Sequence, residues 1–218
     1  MNMRPSDEIA IYTSRVRSAK DCTVENLRSI APLLTEAAAL ILPESRLDVI
    51  AYSCTSGTVV VGHDAVAGYI RAARPGIACV TPIGAALAAL TRLGARRIAV
   101  LTPYIDEVNG PIASCLAAAG IDVVGFTSFG LIDTQDMANL PPEAIYQAAL
   151  EADRAEAEAL FISCTAIRSV DVVEQIEEAL DKPVVTSIQA MFWQSLGYAG
   201  YSKPIAGYGR LFRLDKDA

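Results

Sequence analysis

The chain has 218 residues, of which 52% are hydrophobic and 20% charged, and its formal net charge is −7. A chain of this length and composition can bury a substantial core, either as one large domain or as two lobes. Its acidic balance without a basic patch argues against nucleic-acid binding, and no apolar stretch approaches the ~18 residues that suggest a membrane span.

The N-terminal residues lack the apolar core of a signal peptide, so we expect a cytoplasmic protein. In that compartment the five cysteines are expected to be reduced thiols rather than a disulfide framework. There is no CxxC pair, and the single histidine, His63, has no cysteine or histidine at metal-ligand spacing, so no metal is expected. The glycine-rich phosphate motifs are also absent from the sequence, so no cofactor is predicted.

Strand-like and helix-like segments alternate along the chain, which predicts an α/β fold with parallel sheets flanked by helices. The predicted strands lie near 8–15, 48–53, 77–81, 96–102, 121–126, 158–163 and 183–187. The predicted helices lie near 23–42, 59–73, 83–93, 107–119, 142–156, 169–180 and 188–198.

An internal repeat is visible in this pattern. Ser-Cys-Thr triplets stand at 53–55 and 163–165, each at the end of an apolar run that is typical of a buried strand. A second echo, Val-Thr-Pro-Ile at 80–83 and Val-Thr-Ser-Ile at 185–188, follows at nearly the same offset. The repeat predicts two similar lobes related by a pseudo-twofold axis, which can aim two cysteines at one substrate from opposite sides.

We assign residues 1–94 to the first lobe, completed by the C-terminal segment 190–218, and residues 95–189 to the second. The second lobe has four predicted strands and the first has three. The first lobe therefore lacks its opening strand, the counterpart of 96–102, which a parallel sheet would bury on both faces. We expect about 20–30 further residues upstream in the natural protein, enough for one strand, a loop and part of a helix.

Cys54 and Cys164 are the predicted catalytic residues. Both follow strands and precede helices, and the carboxyl ends of strands are where open α/β sheets bind ligands. Backbone N–H groups at such turns favour a thiolate and can hold a carboxylate. Cys79 and Cys115 lie in apolar patterns typical of core positions, and Cys22 lies in a polar turn typical of an incidental surface thiol.

A third loop, after the strand at 96–102, is expected at the same rim. In it Tyr104 can donate a hydrogen bond to a substrate carboxylate, and Asn109 can cap or orient.

Four motifs give the chain a family resemblance: Cys-Thr-Ser-Gly-Thr at 54–58, Leu-Thr-Pro-Tyr-Ile-Asp-Glu-Val-Asn at 101–109, Ile-Ser-Cys-Thr at 162–165 and Gly-Tyr-Gly-Arg-Leu-Phe at 207–212. With them the chain resembles the aspartate/glutamate racemase superfamily over residues 8–212. It is similar to the branch of maleate cis-trans isomerases and arylmalonate decarboxylases, and most similar to the ectoine-utilisation group.

The resemblance implies an active site in the cleft between the lobes, with one catalytic cysteine from each lobe at Cys54 and Cys164. Thr55, Ser56 and Tyr104, with the backbone after Cys164, match the family's carboxylate-binding set. The candidate substrate-binding residues are Thr55, Ser56, Gly57, Tyr104, Asn109, Thr165 and Ala166. The family's decarboxylases keep only the cysteine that matches Cys164, so a chain with both thiols is closer to the isomerases. The family's N-terminal loop, an Asn or Pro-rich segment that touches substrate, has no match here.

We therefore expect a cofactor-independent isomerase of a small carboxylate, either a racemase or a maleate-type cis-trans isomerase, with a place in ectoine catabolism. Two alternatives stay open: a decarboxylase that uses Cys164 alone, and a non-catalytic carboxylate-binding protein. Neither a nucleic-acid nor a membrane partner is expected, and a homo-oligomer stays open.

Overall fold

The computed structural model describes residues 3–214, which form an α/β fold of parallel sheets flanked by helices, as predicted. The strands are β1 (Val49–Ala51), β2 (Ala78–Val80), β3 (Arg97–Tyr104), β4 (Asp122–Leu131), β5 (Ala159–Ile162) and β6 (Val184–Thr186). The α-helices are α1 (Val24–Ser29), α2 (Leu34–Ala39), α3 (Thr55–Val61), α4 (His63–Ala73), α5 (Pro82–Arg92), α6 (Asp106–Ala118), α7 (Thr134–Ala138), α8 (Pro142–Ala152), α9 (Val173–Leu180), α10 (Ser187–Tyr198) and α11 (Arg210–Arg213). Short 3₁₀ turns occupy Ala31–Leu33 and Ser169–Asp171.

The larger sheet has the strand order β4-β3-β5-β6, and every pair in it is parallel. All four residues of β5 and all but the first of β3 are buried, because helices cover both faces of the sheet. This explains why these two strands are uninterrupted apolar runs in the sequence. The smaller sheet pairs β1 with β2, also in parallel.

The two sheets repeat the same strand register. In the smaller sheet Ala51 is paired with Val80. Adding 110 to the first number and 105 to the second gives Phe161 and Val185, which are partners in the larger sheet. The two sequence echoes therefore mark one β–loop–α–β unit that is built twice, with a cysteine beyond the first strand of each copy.

Helix α10 joins the lobes. It packs against α5 and also contacts β1, β2 and β6. At its far end, Phe192 and Leu196 form a small apolar cluster with Met3 and Phe212, which brings the two ends of the described chain together. None of the helices described between residues 3 and 214 is both long enough and apolar enough to cross a membrane.

The predicted strand at 8–15 is wrong. Residues 9–19 have no regular secondary structure, and the side chains of Ile11 and Tyr12 are 43% and 54% exposed. A groove of about 730 Å³ separates this segment from the edge of β1, with α2 and α10 as its other walls. An extended segment becomes a strand only where a neighbouring backbone pairs with it, and this one does not reach β1. The smaller sheet has two strands among the described residues rather than the predicted three.

Two predicted helices are each divided. The segment 23–42 becomes α1, a 3₁₀ turn that contains Pro32, and α2, because proline lacks the N–H that a helix interior requires. The segment 59–73 becomes α3 and α4, with a break at Gly62, whose φ of 95° lies in the left-handed region that favours glycine.

Candidate active site

Cys54 lies at the point where the chain leaves β1 and enters α3. It is the N-cap residue of that helix, and its Sγ accepts a hydrogen bond from the N–H of Gly57 at 3.3 Å. The Oγ of Ser56 is 3.8 Å from the same sulfur. Cys54 is only partly buried. The predicted strand–cysteine–helix arrangement is confirmed for this copy.

Gly57 has little free space beside it. A Cβ at this position would lie 2.6 Å from the hydroxyl oxygen of Tyr52 and 2.9 Å from the sulfur of Cys54. Gly57 was predicted to bind substrate, but its N–H is already donated to Cys54. Its role in the structure is to let the tyrosine and the thiol approach each other.

Cys164 follows β5, and its backbone is strained. Its φ of 114° is rare for a residue with a side chain. Its N–H donates to the Oγ of Ser187 at 3.1 Å, and its Sγ accepts from the N–H of Ala166 at 3.3 Å. The helix predicted at 169–180 is present as the 3₁₀ turn Ser169–Asp171 and α9, which begins at Val173, so no helix starts at the thiol itself. The N–H donors come from a bend instead.

Burial is the main influence on Cys164 and raises the pKa of its thiol. Hydrogen bonds from Tyr104 and from the N–H groups of Ala166 and Ile167 act in the opposite direction, while negative charge on Cys54 raises the pKa further. The anion-favouring turn predicted from the sequence is therefore outweighed by desolvation. Cys164 holds its proton at neutral pH and is suited to act as a proton donor.

Tyr104 ends β3, is only 2% exposed, and lies close enough to Cys164 for the two side chains to affect each other's pKa. Burial raises the pKa of this phenol well above its usual value, so Tyr104 stays protonated and can donate. Asn109 braces the loop: its Oδ1 accepts from the Thr102 hydroxyl at 2.6 Å, and its Nδ2 donates to the carbonyl of Tyr104 at 2.9 Å. These contacts favour a bracing role for Asn109 over direct contact with a substrate.

The two Ser-Cys-Thr triplets meet directly. The hydroxyl of Thr165 donates to the backbone carbonyl of Ser53 at 2.9 Å, which joins the cysteine loop of one lobe to that of the other. The structure therefore brings together the loops that carry the two predicted thiols.

Thr55 supplies a polar atom without a protein partner. Its side chain is 1% exposed, and within residues 3–214 its Oγ1 has no hydrogen bond. A buried hydroxyl of this kind costs free energy unless something binds it. It is next to Cys54, and its role as a contact for a bound carboxylate stays a prediction.

Cys22 contradicts its prediction as an incidental surface thiol. It is 5% exposed, and its Sγ is 3.8 Å from the Oγ of Ser56, which also contacts Cys54. Burial raises the pKa of Cys22 to about 11, so this third thiol is neutral. The polar residues around it suggested a surface turn, but its N–H donates to the carbonyl of Ile132 at 2.8 Å, a contact distant in sequence.

Sequence reasoning also missed Tyr52 and Ser187. A signal for Tyr52 was available, because side chains two residues apart on an extended chain share a face, which would place Tyr52 on the same side as Cys54. Ser187 lies inside the second sequence echo, but its bond to the N–H of Cys164 depends on the unusual backbone of that residue.

The chain is similar to several known proteins. The arylmalonate decarboxylase (Amdase) family profile matches residues 33–212. The arylmalonate decarboxylase of Bordetella bronchiseptica is 34% identical over 140 residues, which is 63% of this chain and 58% of that protein, less than two thirds of its length. The maleate isomerase of Nocardia farcinica (strain IFM 10152) is 25% identical over 223 residues, which is 99% of this chain and 88% of that protein.

One solved structure shows the same fold. It is a mutant of the Nocardia farcinica maleate cis-trans isomerase with a covalently bound succinylcysteine intermediate. It matches with a TM-score of 0.88 at 23% identity and covers 97% of this chain and 89% of that one.

Proposed function

The chain belongs to the arylmalonate decarboxylase family, in the maleate isomerase and decarboxylase branch of the aspartate/glutamate racemase superfamily, and on that premise we propose that it is a cofactor-independent isomerase of a small carboxylate. The observation that carries the proposal is the hydrogen bond from Thr165 to Ser53, which joins the loop of Cys54 in one lobe to the loop of Cys164 in the other. The succinylcysteine reported for the maleate isomerase mutant supports a nucleophilic cysteine in this fold.

Two routes use the pair of thiols. In a cis-trans isomerisation the Cys54 thiolate adds to one alkene carbon, and the π electrons move onto the neighbouring carbon and its carboxylate. Cys164 gives its proton to that neighbouring carbon, the C–C bond rotates, and the Cys164 thiolate takes a proton back from the same carbon as the Cys54 thiolate leaves and the alkene re-forms. In a racemisation one thiolate removes the α-proton while the opposite thiol delivers a proton to the other face.

Both routes build negative charge on the substrate carboxylate, so donors aimed at that charge lower the barrier. The unpartnered hydroxyl of Thr55 and the hydroxyl of Ser56 are suited to that role. The retained proton of Cys164 suits a general acid.

A decarboxylase is the second candidate, because the buried, protonated Cys164 and its tyrosine donor also fit that reaction. There the C–C bond to one carboxylate breaks, carbon dioxide leaves, and Cys164 protonates the enediolate that remains. Cys54 would then be a bystander. A role in ectoine catabolism depends on the motif resemblance alone, so amino acids of that route belong in the substrate screen.

The test is a substrate screen with cysteine variants. Maleate, aspartate, ectoine-pathway amino acids and arylmalonates are incubated with the wild-type chain, Cys54→Ala, Cys164→Ala and the control Cys115→Ala, and the products are followed by NMR. We expect isomerisation whose kcat/KM falls by about a thousandfold or more in either site variant and is unchanged in the control. Carbon dioxide release that survives Cys54→Ala would favour the decarboxylase, and saturable carboxylate binding without turnover would favour the non-catalytic alternative.

A further inference from the structure

Tyr52 lies beside the first-lobe thiol in a fixed position. Its N–H donates to the carbonyl of Val80 at 3.0 Å, which extends the pairing of β1 with β2 by one residue. Its side chain is 8% exposed and packs in the first-lobe core with Ile50 and Ile70. The ring is therefore held by both its backbone and its apolar neighbours.

The hydroxyl oxygen of Tyr52 and the sulfur of Cys54 both border Gly57, where a Cβ would lie 2.6 Å from the oxygen and 2.9 Å from the sulfur. Burial keeps the phenol protonated, so it can donate to the sulfur. Burial is the main reason that the pKa of this phenol is raised far above its usual value, and negative charge on Cys54 raises it further. A thiolate can only accept hydrogen bonds, so the proton in this contact belongs to the tyrosine. A bond donated to the sulfur stabilises the charged form of the thiol over the neutral form.

From these contacts we propose that Tyr52 is a positioning residue for Cys54, whose hydroxyl orients the sulfur and stabilises it as a thiolate. Gly57 makes the contact possible, because a Cβ there would lie 2.6 Å from the tyrosine oxygen and 2.9 Å from the sulfur. The N–H of Gly57 is a second donor to the same sulfur, at 3.3 Å. The inference rests on the proposed function in one respect: the proposed reaction is what needs Cys54 as a thiolate.

Each thiol of the site thereby has its own tyrosine. Tyr104 reaches Cys164 from β3, the strand beside β5, whereas Tyr52 reaches Cys54 from the end of its own strand. In a reversible two-thiol reaction the negative charge passes from one sulfur to the other. A donor at each sulfur lets either one carry that charge, which a single-cysteine decarboxylase does not need.

The test measures the reactivity of each thiol rather than turnover. Full-length wild type, Tyr52→Phe, Gly57→Ala and the control Tyr69→Phe are alkylated with iodoacetamide from pH 6 to pH 10, and peptide mapping gives the rates at Cys54 and Cys164 separately. Tyr69 is a suitable control because it is a partly exposed tyrosine on α4. We expect Tyr52→Phe to slow Cys54 alkylation at pH 7 by about tenfold, with its profile displaced upward by about one pH unit.

Gly57→Ala should act in the same direction, since its methyl group displaces the hydroxyl from the sulfur. Cys164 should keep its wild-type profile in all three variants, and circular dichroism checks that each is folded. An unchanged Cys54 profile in folded Tyr52→Phe, or an equal shift at Cys164, would overturn the inference. If the Cys54 profile shifts but no substrate is turned over, the role of Tyr52 stands and the proposed function is refuted. If the chain isomerises a substrate but the Cys54 profile is unchanged, the proposed function stands and the role of Tyr52 is refuted.

Discussion

The N–H of Cys164 donates to the hydroxyl of Ser187 at 3.1 Å. Both residues are buried, with Ser187 completely inaccessible to solvent. The unusual φ of Cys164 costs about 1–3 kcal/mol, so neighbouring contacts must hold it in place. Ser187 supplies one of those contacts and thereby fixes the direction of the sulfur.

We therefore expect Ser187→Ala to leave that N–H buried without an acceptor, which lowers the free energy of unfolding by ~1–3 kcal/mol. The same change should reduce kcat more than it raises KM, because the sulfur loses its orientation. Urea denaturation and steady-state kinetics measure the two effects. Ser195→Ala is the control, since that hydroxyl only returns to the carbonyl of Met191 within α10. Equal effects of the two substitutions would contradict the assignment.

Glu158 ties together the N-terminal ends of two neighbouring strands. Its carboxylate accepts from the N–H groups of Arg96 and Arg97 at 2.8 and 3.0 Å, where the chain enters β3, and Glu158 itself leads into β5. These backbone hydrogen bonds are the main reason that its pKa is lowered from 4.5 to about 2. The contact sets the start of the β3–β5 register.

When a carboxyl has a lower pKa in the folded than in the unfolded state, it stabilises the fold at pH values above its unfolded-state pKa. This contribution is lost as the pH falls to the folded-state pKa. For Glu158 the loss is expected between about pH 4.5 and pH 2. Glu158→Gln should thus lower Tm at pH 7, and its difference from wild type should shrink towards pH 2. Thermal melts across this range measure the effect, with the exposed neighbour Glu156→Gln as the control. A difference that does not change with pH would contradict this account.

The elements differed in how well the sequence predicted them, for physical reasons. Strands β3 and β5 were found because burial on both faces leaves a continuous apolar run. The segment at 8–15 has strand-like residues, but pairing depends on a neighbour that sequence pattern alone does not supply. The placement of Cys22 next to Ser56 depends on a backbone contact with Ile132, more than a hundred residues away. Local sequence carries no trace of such a contact.

The C-terminal segment is fixed to the second lobe through one buried carboxylate. Glu177, on α9, accepts from the N–H of Val184 at 2.9 Å and from the N–H of Arg210 at 2.7 Å. Burial raises its pKa, and these bonds and the nearby arginines, including Arg213, oppose the rise. A single side chain thereby connects α9, β6 and α11, which places Phe212 in its cluster with α10.

Glu177→Gln should destabilise the whole fold by ~1–3 kcal/mol, because an amide nitrogen cannot accept from a backbone N–H. Urea denaturation gives the magnitude, and limited proteolysis should show earlier cleavage near residues 205–213. The exposed neighbour Glu178→Gln controls for the lost charge on the same helix. The connecting role would be disproved by a stability equal to that of the control.

The left-handed backbone of Cys164 makes the thiol vulnerable during evolutionary drift. Glycine is the one residue that adopts such a φ without steric cost, and it differs from cysteine by a single nucleotide in the codon. A Cys164→Gly variant would lose the proton donor, but it would relieve the backbone strain at this position. A Cys164→Ala variant would lose the proton donor and keep the strain. Selection on folding stability alone would thus tolerate glycine at position 164, and only selection for the reaction keeps a cysteine there.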